Sequence, residues 1–369
     1  MKKKIIISIM PHLKGGGVEK VVSVLSEGLN KFEDCDVHII TIKPFENLIP
    51  LSKEIKVHAL DTNLRNLFKQ RVSNKTKFQL IADYIKTNIT ADEPDLVLCH
   101  QETVSKIMQY CSYKNVYHVV HSNLTNDRLS NAKGIKRFLR VRKIHRLYRN
   151  LNVICVSKGV EDDLKETFGL SNTRVIYNAI SLRQLEKSAS EPLSLPEKPY
   201  FINVGNFSAA KRQDRLVEAY LKSGIQDIDL VLLGEHTERI AKIESLLKHH
   251  PKAAKRVHLP GFASNPYPWI SNSCGFVLSS DYEGLPTVLL ESIALGIPTI
   301  STDCKSGPRE IFGSEFEQCL CPLTIEGLKE KIIEISKSPE KFHVPLREEF
   351  TLDYMCHEYY QLVINPKAS

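Results

Sequence analysis

Apolar residues in this chain recur in two alternating rhythms. Short runs that are apolar on both faces predict strands at Ile5–Met10, Val37–Ile42, Asp95–His100, Val116–His121, Val153–Ser157 and Arg174–Ile180. They are rich in Val and Ile, as a parallel sheet covered on both sides requires. Between the first two, Val18, Val21, Val22, Leu25 and Leu29 fall on one helical stripe. The pattern then breaks. Residues 187–199 read KSASEPLSLPEKP, without periodicity, and predict a linker. Beyond it the alternation restarts, with strands expected at Tyr200–Gly205, Asp229–Gly234, Arg256–Leu259, Gly275–Ser280 and Pro298–Thr302. Helices are expected at Arg215–Ser223, Glu238–His249, Pro286–Leu295 and Ile325–Ser336. Both halves have βαβ character, so the expected fold is α/β: two doubly wound, Rossmann-like domains, 1–186 and 200–350, joined by 187–199. Ligands of such sheets bind beyond the carboxyl ends of the strands, which sends the search for chemistry to the strand-to-helix loops.

Composition narrows the picture only slightly. The 369 residues suit two domains, and 42% hydrophobic with 25% charged residues excludes a disordered, collagenous or coiled-coil chain. A net charge of +7 permits an anionic partner without naming one. The nine cysteines are odd in number, sit mostly in apolar runs and include no CxxC pair. They predict core thiols in a reducing compartment, and Cys319-x-Cys321 is a poor metal signature. The apolar run after Lys2–Lys4 is too short for a signal peptide, and no stretch approaches the roughly 18 apolar residues of a membrane span. A cytosolic protein is expected.

Three loops carry candidate chemistry. Lys14–Glu19, KGGGVE, follows a strand and opens a helix, where glycines let a ligand approach free N–H groups. It is neither GxGxxG nor a P-loop, and a tight packing turn would explain it as well. At Gly205–Asp214, a glycine ends a strand and Lys211 and Arg212 stand at the start of a helix, where they oppose the helix dipole. A nearby anion would account for them, and so would a solvated basic turn. The densest signal is Ser279–Glu291, SSDYEGLPTVLLE, in which Gly284 and Pro286 suit a turn into a helix. Glu291 lies among Leu289, Leu290, Ile293 and Leu295 and needs a partner, for which a ribose diol is one candidate and an ion pair another.

With these residues in place, the chain resembles glycosyltransferase family 4, retaining enzymes of the GT-B fold that use nucleotide-sugar donors. The resemblance rests on Glu283-x7-Glu291 with EGLP before it and Ile297–Asp303 after it. It extends to Gly205–Asp214, Val153–Lys158, Val175–Ile180, His258–Phe262, Asn265–Pro268, Ser306–Ile311 and the GGxE-like turn Gly15–Glu19. It covers nearly the whole chain and is weakest at about 44–90. It implies two domains facing a central cleft and a last helix, within 351–369, that crosses back to the first domain.

The resemblance also implies roles. Lys211 would contact the donor diphosphate, Glu283 would lie by the transferred sugar, Glu291 would hold the ribose hydroxyls, and His121 would meet the donor sugar. Gly16, Gly17, Gly205, Gly284, Leu285, Pro286 and Thr287 would line the donor, Pro286 having no N–H to give. Asn206 stands where the family usually has Arg, so Arg212 is expected to compensate. A lysine and helix N-terminal N–H groups can neutralise a leaving diphosphate, so no metal and no other cofactor is expected, and Asp281-Tyr282-Glu283 is assigned to the EGLP turn rather than to a metal-binding DxD. His12, His100, His118, His249 and His250 are given no role. The implied reaction is front-face transfer from a UDP-sugar to a glycan or lipid-linked glycan of lipopolysaccharide, O-antigen or capsule type. A binding-only homologue is the alternative, with Asn206 as its support.

One segment stands outside this scheme. Residues 133–149, KGIKRFLRVRKIHRLYR, hold eight cations and no acid. A basic amphipathic helix there fits an anionic membrane surface, and its apolar residues fit equally well against the first domain's sheet. Aromatic residues are too sparse, and any recognised module is lacking, for nucleic acid to be a partner.

Overall fold

The computed structural model describes residues 2–43, 51–60 and 72–365, which form two compact units: Met1–Ala179 with Leu352–Ser369, and Ile180–Thr351. In the first unit the strands are β1 (Lys4–Met10), β2 (Cys35–Thr41), β3 (Lys56–Ala59), β4 (Leu96–His100), β5 (Val116–Val120), β6 (Asn152–Cys155) and β7 (Thr173–Val175). They pair in the order β3-β2-β1-β4-β5-β6-β7, all parallel. In the second they are β8 (Tyr200–Val204), β9 (Asp229–Leu233), β10 (Val257–Gly261), β11 (Gly275–Leu278), β12 (Thr299–Thr302) and β13 (Leu320–Cys321), in the order β10-β9-β8-β11-β12-β13, again parallel.

Both orders reverse direction once, between β1 and β4 and between β8 and β11. That reversal opens a crevice at the carboxyl ends of the central strands. Hence the loops after β1 and β4, and those after β8 and β11, are where each unit can admit a ligand. The central strands are buried on both faces: Ile6, Ile7, Ile9, Val97, Leu98, Ile202, Leu232, Phe276 and Leu278 are all at most 1% exposed. At roughly 1.5–3 kcal/mol per large side chain, this burial dominates the stability of each sheet. All nine cysteines are free thiols.

The structure departs from the sequence reading in four places. The predicted strand Arg174–Ile180 stops at Val175, because Ile180 pairs instead with Thr351 and its N–H bonds Phe350 O at 3.1 Å, within the second unit. The expected linker is not a free segment: helix Leu182–Ala189 takes its first residues, and Asn265 Nδ2 ties Ser188 O at 2.8 Å and Glu191 Oε2 at 2.9 Å. Strand β3 escaped notice because it is only partly covered, and β13 because it is two residues long. The last helix is Leu352–Ile364, with 366–369 outside the described residues.

That last helix belongs to the first unit and packs on helix Gly17–Leu29. Gly28 is what allows the contact. A Cβ built there would stand 2.2 Å from Cys356 Sγ and 2.8 Å from Leu352 Cδ1. Tyr360 reinforces the seam, stacking on Phe32 at 4.4 Å and donating to Asp34 Oδ2 at 2.7 Å. Two effects compete at Gly28. Alanine should favour a helix by about 1 kcal/mol, whereas overpacking a seated helix pair costs about 1–3 kcal/mol. With so short a contact the second wins, so Gly28→Ala is expected to lower the urea midpoint of the first unit, and a raised midpoint would show the seam to be loose.

Candidate functional site

The second unit builds its site on a close approach of two strand ends. Gly205, after β8, and Gly234, after β9, lie so near each other that a Cβ on Gly234 would stand 2.1 Å from Gly205 O. From there the two loops run side by side. Phe207 N donates to Glu235 O at 3.2 Å, Glu235 N donates to Asn206 Oδ1 at 3.1 Å, and Thr237 Oγ1 donates to Phe207 O at 2.5 Å. The Asn206 side-chain oxygen is therefore spent on holding the loop. Gln213 Nε2 donates to Gly205 O at 3.0 Å and ties the loop to helix Gln213–Ser223.

Lys211 crosses Gly205, its stem lying at ordinary van der Waals distance from where a Cβ would stand. Its Nζ reaches Glu283 Oε1 at 2.8 Å. The same oxygen accepts from Ser280 Oγ at 2.6 Å. Glu283 is one-tenth exposed at its side chain and Lys211 one-quarter, so the pair is largely shielded.

Arg212 is a different case. It takes the left-handed conformation, with φ 50°, and caps the helix without a side-chain bond to it. Its guanidinium bonds Asp281 Oδ2 and Asp214 Oδ1, each at 3.0 Å. Burial pushes the Asp214 carboxyl up, but hydrogen bonds from Arg212 and Lys242 outweigh that and hold it at about 2. Arg212 and Lys211 are thus each paired with carboxylates of the unit, Arg212 with Asp281 and Asp214 and Lys211 with Glu283.

A residue that the sequence reading passed over organises this arrangement. Arg215, 3% exposed, bonds Asp281 Oδ1 at 2.8 Å, Ser279 O at 2.5 Å and Leu323 O at 2.7 Å. It stands three residues after Arg212, but Asp281 and Leu323 lie far along the chain, so no spacing in the sequence signalled its role. Asp281 is held between two guanidinium groups and Glu283 between an ammonium and a hydroxyl. Among the described residues no three His, Cys, Asp or Glu side chains converge on a common point.

The EGLP turn is braced from the loop after β12. Tyr282 bridges Lys305, and Glu283 N donates to Lys305 O at 3.2 Å. Gly307, at φ 97°, lies under Pro286, and a Cβ there would meet Pro286 Cδ at 2.4 Å. Gly284 and Leu285 are buried, Pro286 caps helix Thr287–Ala294, and Glu291 lies on that helix at 4% exposure. Tyr267 OH donates to Glu291 Oε1 at 3.3 Å. The tyrosine is the partner that an apolar helix position demanded, and it comes from helix Tyr267–Ser271.

The first unit carries the remaining predicted residues at the ends of its strands. Gly16 caps helix Gly17–Leu29, and a Cβ on it would stand 2.5 Å from Glu19 Oε2, whereas Gly17 is open. Glu19, 5% exposed, pairs through Oε1 with His12 Nδ1 at 3.0 Å. His121, just after β5, lies 3.0 Å through Nε2 from His100 Nδ1 at the end of β4. His100, left without a role, is thus the partner of a predicted residue, and His12 is the partner of Glu19 in the glycine turn. Strand-end position at the sheet's reversal was the signal for His100.

Burial pushes His121 and His118 down to about 4 and His100 well below the usual histidine range, so all three are neutral at pH 7.

Two family models cover nearly the whole chain: glycosyltransferase family 4 matches residues 15–184, and glycosyl transferases group 1 matches 186–350. The chain is 28% identical over 330 residues to N-acetylgalactosamine-N,N'-diacetylbacillosaminyl-diphospho-undecaprenol 4-alpha-N-acetylgalactosaminyltransferase of Campylobacter jejuni, spanning 82% of each. It is 25% identical to the amylovoran biosynthesis glycosyltransferase AmsD of Erwinia amylovora, over 84% of this chain and 83% of that one. In fold it is similar to sucrose-phosphate synthase from Thermosynechococcus elongatus, with TM-score 0.75, 19% identity and 98% of each chain covered. It is also similar to Anabaena HepE in complex with UDP and glucose, with TM-score 0.71, 14% identity and 98% and 99% covered. Two parallel Rossmann-like units with these neighbours make the fold class GT-B.

The three histidines generate a stability prediction. Unfolded histidine titrates near 6.5, so between about pH 4 and 6.5 the unfolded chain binds more protons than the folded one. Stability is then complete above that window and falls as pH drops through it, by on the order of 1–3 kcal/mol for each of His118 and His121, with His100 acting in the same direction. Urea melts at pH 7 and 4.5 should show the loss, and His118→Gln should shrink the difference between them.

Proposed function

The chain belongs to the family 4, group 1 glycosyltransferases, and on that premise we propose that it moves a hexose or N-acetylhexosamine from a UDP-sugar to a glycan or lipid-linked glycan of surface-polysaccharide type, with retention and without a metal. The observation that carries this reading is Glu283 Oε1 held between Lys211 Nζ at 2.8 Å and Ser280 Oγ at 2.6 Å, at the head of the EGLP turn. UDP as the nucleotude is supported by the HepE complex. A lipid-linked acceptor is supported by the diphospho-undecaprenol named for the Campylobacter relative.

The roles follow from charge. As the bond from the anomeric carbon to the diphosphate oxygen breaks, negative charge collects on the diphosphate and positive charge on the sugar. Lys211 and the uncapped N-terminal N–H groups of helix Gln213–Ser223 offset the first. Glu283 steadies the second and accepts from sugar hydroxyls. The acceptor oxygen bonds the anomeric carbon on the face the diphosphate leaves, and its proton passes to a diphosphate oxygen, so no protein base is needed. Glu291 holds the ribose hydroxyls with Tyr267 fixing its carboxylate. Gly205, Gly284, Leu285 and Thr287 offer backbone to the donor, and Gly16, Gly17 and His121 keep the donor-side roles that the resemblance implies. Metal independence is supported by the engagement of both carboxylates of the Asp281-Tyr282-Glu283 sequence with cations of the chain. A transferase that uses a cytoplasmic nucleotide-sugar and a lipid-linked acceptor works at the cytoplasmic face of the bilayer that holds the acceptor. No helix among the described residues is long and apolar enough to cross a membrane.

UDP release from a panel of UDP-sugars in EDTA tests the proposal, because slow donor hydrolysis needs no acceptor. One sugar should be turned over, and Lys211→Ala and Glu283→Ala should each lower the rate by about 100-fold or more. Activity restored only by Mg²⁺ would overturn metal independence. UDP binding with no turnover on any sugar or acceptor would make the chain a binding-only homologue, and no UDP binding would overturn the nucleotide.

A further inference from the structure

The carboxyl ends of β4 and β5 carry two imidazoles bonded ring to ring. His100 Nδ1 lies 3.0 Å from His121 Nε2, with the ring centres 5.3 Å apart. The outer nitrogens, His100 Nε2 and His121 Nδ1, are buried and have no hydrogen-bond partner among the described residues. Both rings are neutral, so each carries one N–H and one lone pair. The central contact uses one of each. The two outer ends are therefore unlike: one is a donor, the other an acceptor, and a single choice of tautomer decides which is which.

Burial decides the choice. A buried N–H without an acceptor is rarer in folded proteins than a lone pair left over. His100 is 1% exposed, whereas His121, just past the end of β5, is half-buried. The free N–H therefore belongs to His121 Nδ1, where a ligand can supply the acceptor, and His100 Nδ1–H donates to His121 Nε2. Only a lone pair is then left on the enclosed His100 Nε2. A second observation marks the same corner. Gln101, the next residue, is held at φ 70°. Among the described residues the other non-glycine positions with positive φ are Arg212 and Ser306, in the loops after β8 and β12 that build the site of the second unit. Strain of this kind persists where the surroundings enforce it, and it clusters at ligand sites. Strand β4 also borders the reversal of its sheet, where this unit can admit a ligand.

We propose that His100 is a positioning residue of the transfer reaction: its ring holds His121 in the Nδ1–H tautomer and in one orientation, so that His121 offers a hydrogen-bond donor to a hydroxyl of the donor's sugar. The hydroxyl oxygen is the partner that His121 Nδ1 lacks. This deepens the proposed function and rests on that reading for the identity of the ligand; the tautomer does not depend on it.

Long-range proton–nitrogen NMR spectra of the full chain, with the ring signals assigned from His121→Gln, test the tautomer without any activity. His100 and His121 should both show the Nδ1–H pattern in the wild type. In His100→Phe, which fills the space but cannot donate, His121 should leave that form for a mixture of tautomers. Donor hydrolysis in EDTA tests the role. His100→Phe should lower kcat/KM for the UDP-sugar by about tenfold or more, while the Kd of UDP, which has no sugar, moves by less than about twofold. His100→Asn, whose amide can donate from the same strand end, should recover part of the loss. In a His121→Ala background, His100→Phe should cost less than about twofold more, because residues acting through one contact are not additive. An Nε2–H pattern at His121 in the wild type, or an unchanged pattern in His100→Phe, overturns the proposal. So does a loss equal for UDP and UDP-sugar, or one that adds in full to that of His121→Ala, since either makes His100 a packing residue only. If His100→Phe fails to fold, the wild-type spectra and the His100→Asn variant decide. Turnover of no UDP-sugar by the wild type would count against the transferase reading and leave the spectra to decide the His100 contact.

Discussion

One buried guanidinium holds the site of the second unit together. Arg215 donates to the carbonyl at the end of β11, to the carbonyl of Leu323 after β13, and to Asp281, which in turn receives Arg212. A charge at 3% exposure is tolerable only if paired and hydrogen-bonded, and removing one partner would leave the other buried and uncompensated. The loop between Ser279 and Glu283 is consequently fixed on both sides of its turn. That fixed loop places Ser280 Oγ and Lys211 Nζ on a single oxygen of Glu283.

The glycines complete the same constraint from the backbone side. Gly234 lets two adjacent strand ends meet, and Gly307 lets the next loop pass under Pro286. Each is a place where a turn is built by leaving out a side chain rather than by adding one. Preorganisation of this kind lets an enzyme meet developing charge without rearranging at the moment of reaction. The cost is visible locally at Arg212, a non-glycine residue held at φ 50°.

In the first unit the same logic appears with imidazoles. His121 and His100 end neighbouring strands and bond each other, and His12 closes on the buried Glu19 of the glycine turn. The basic helix shows the reverse situation: its inward face is explained by packing, while Ile135, Phe138 and Leu139 on its outward face stay exposed.

The sequence alone determined the α/β class, the strands of both sheets apart from β3 and β13, and the loops that carry Lys211, Glu283 and Glu291. Those features are local: strands buried on both faces leave continuous apolar runs, and strand-to-helix turns need glycine and proline at fixed places. Tertiary structure decided the partners. That Arg212 meets Asp281, that Arg215 reaches Leu323 more than a hundred residues away, and that Glu291 meets Tyr267 depend on tertiary packing, which no spacing along the chain encodes. The basic helix is the sharpest case. Its periodicity allowed membrane and core equally, and only its seating, with Ile144, Leu147 and Tyr148 turned inward, left Ile135, Phe138 and Leu139 facing water.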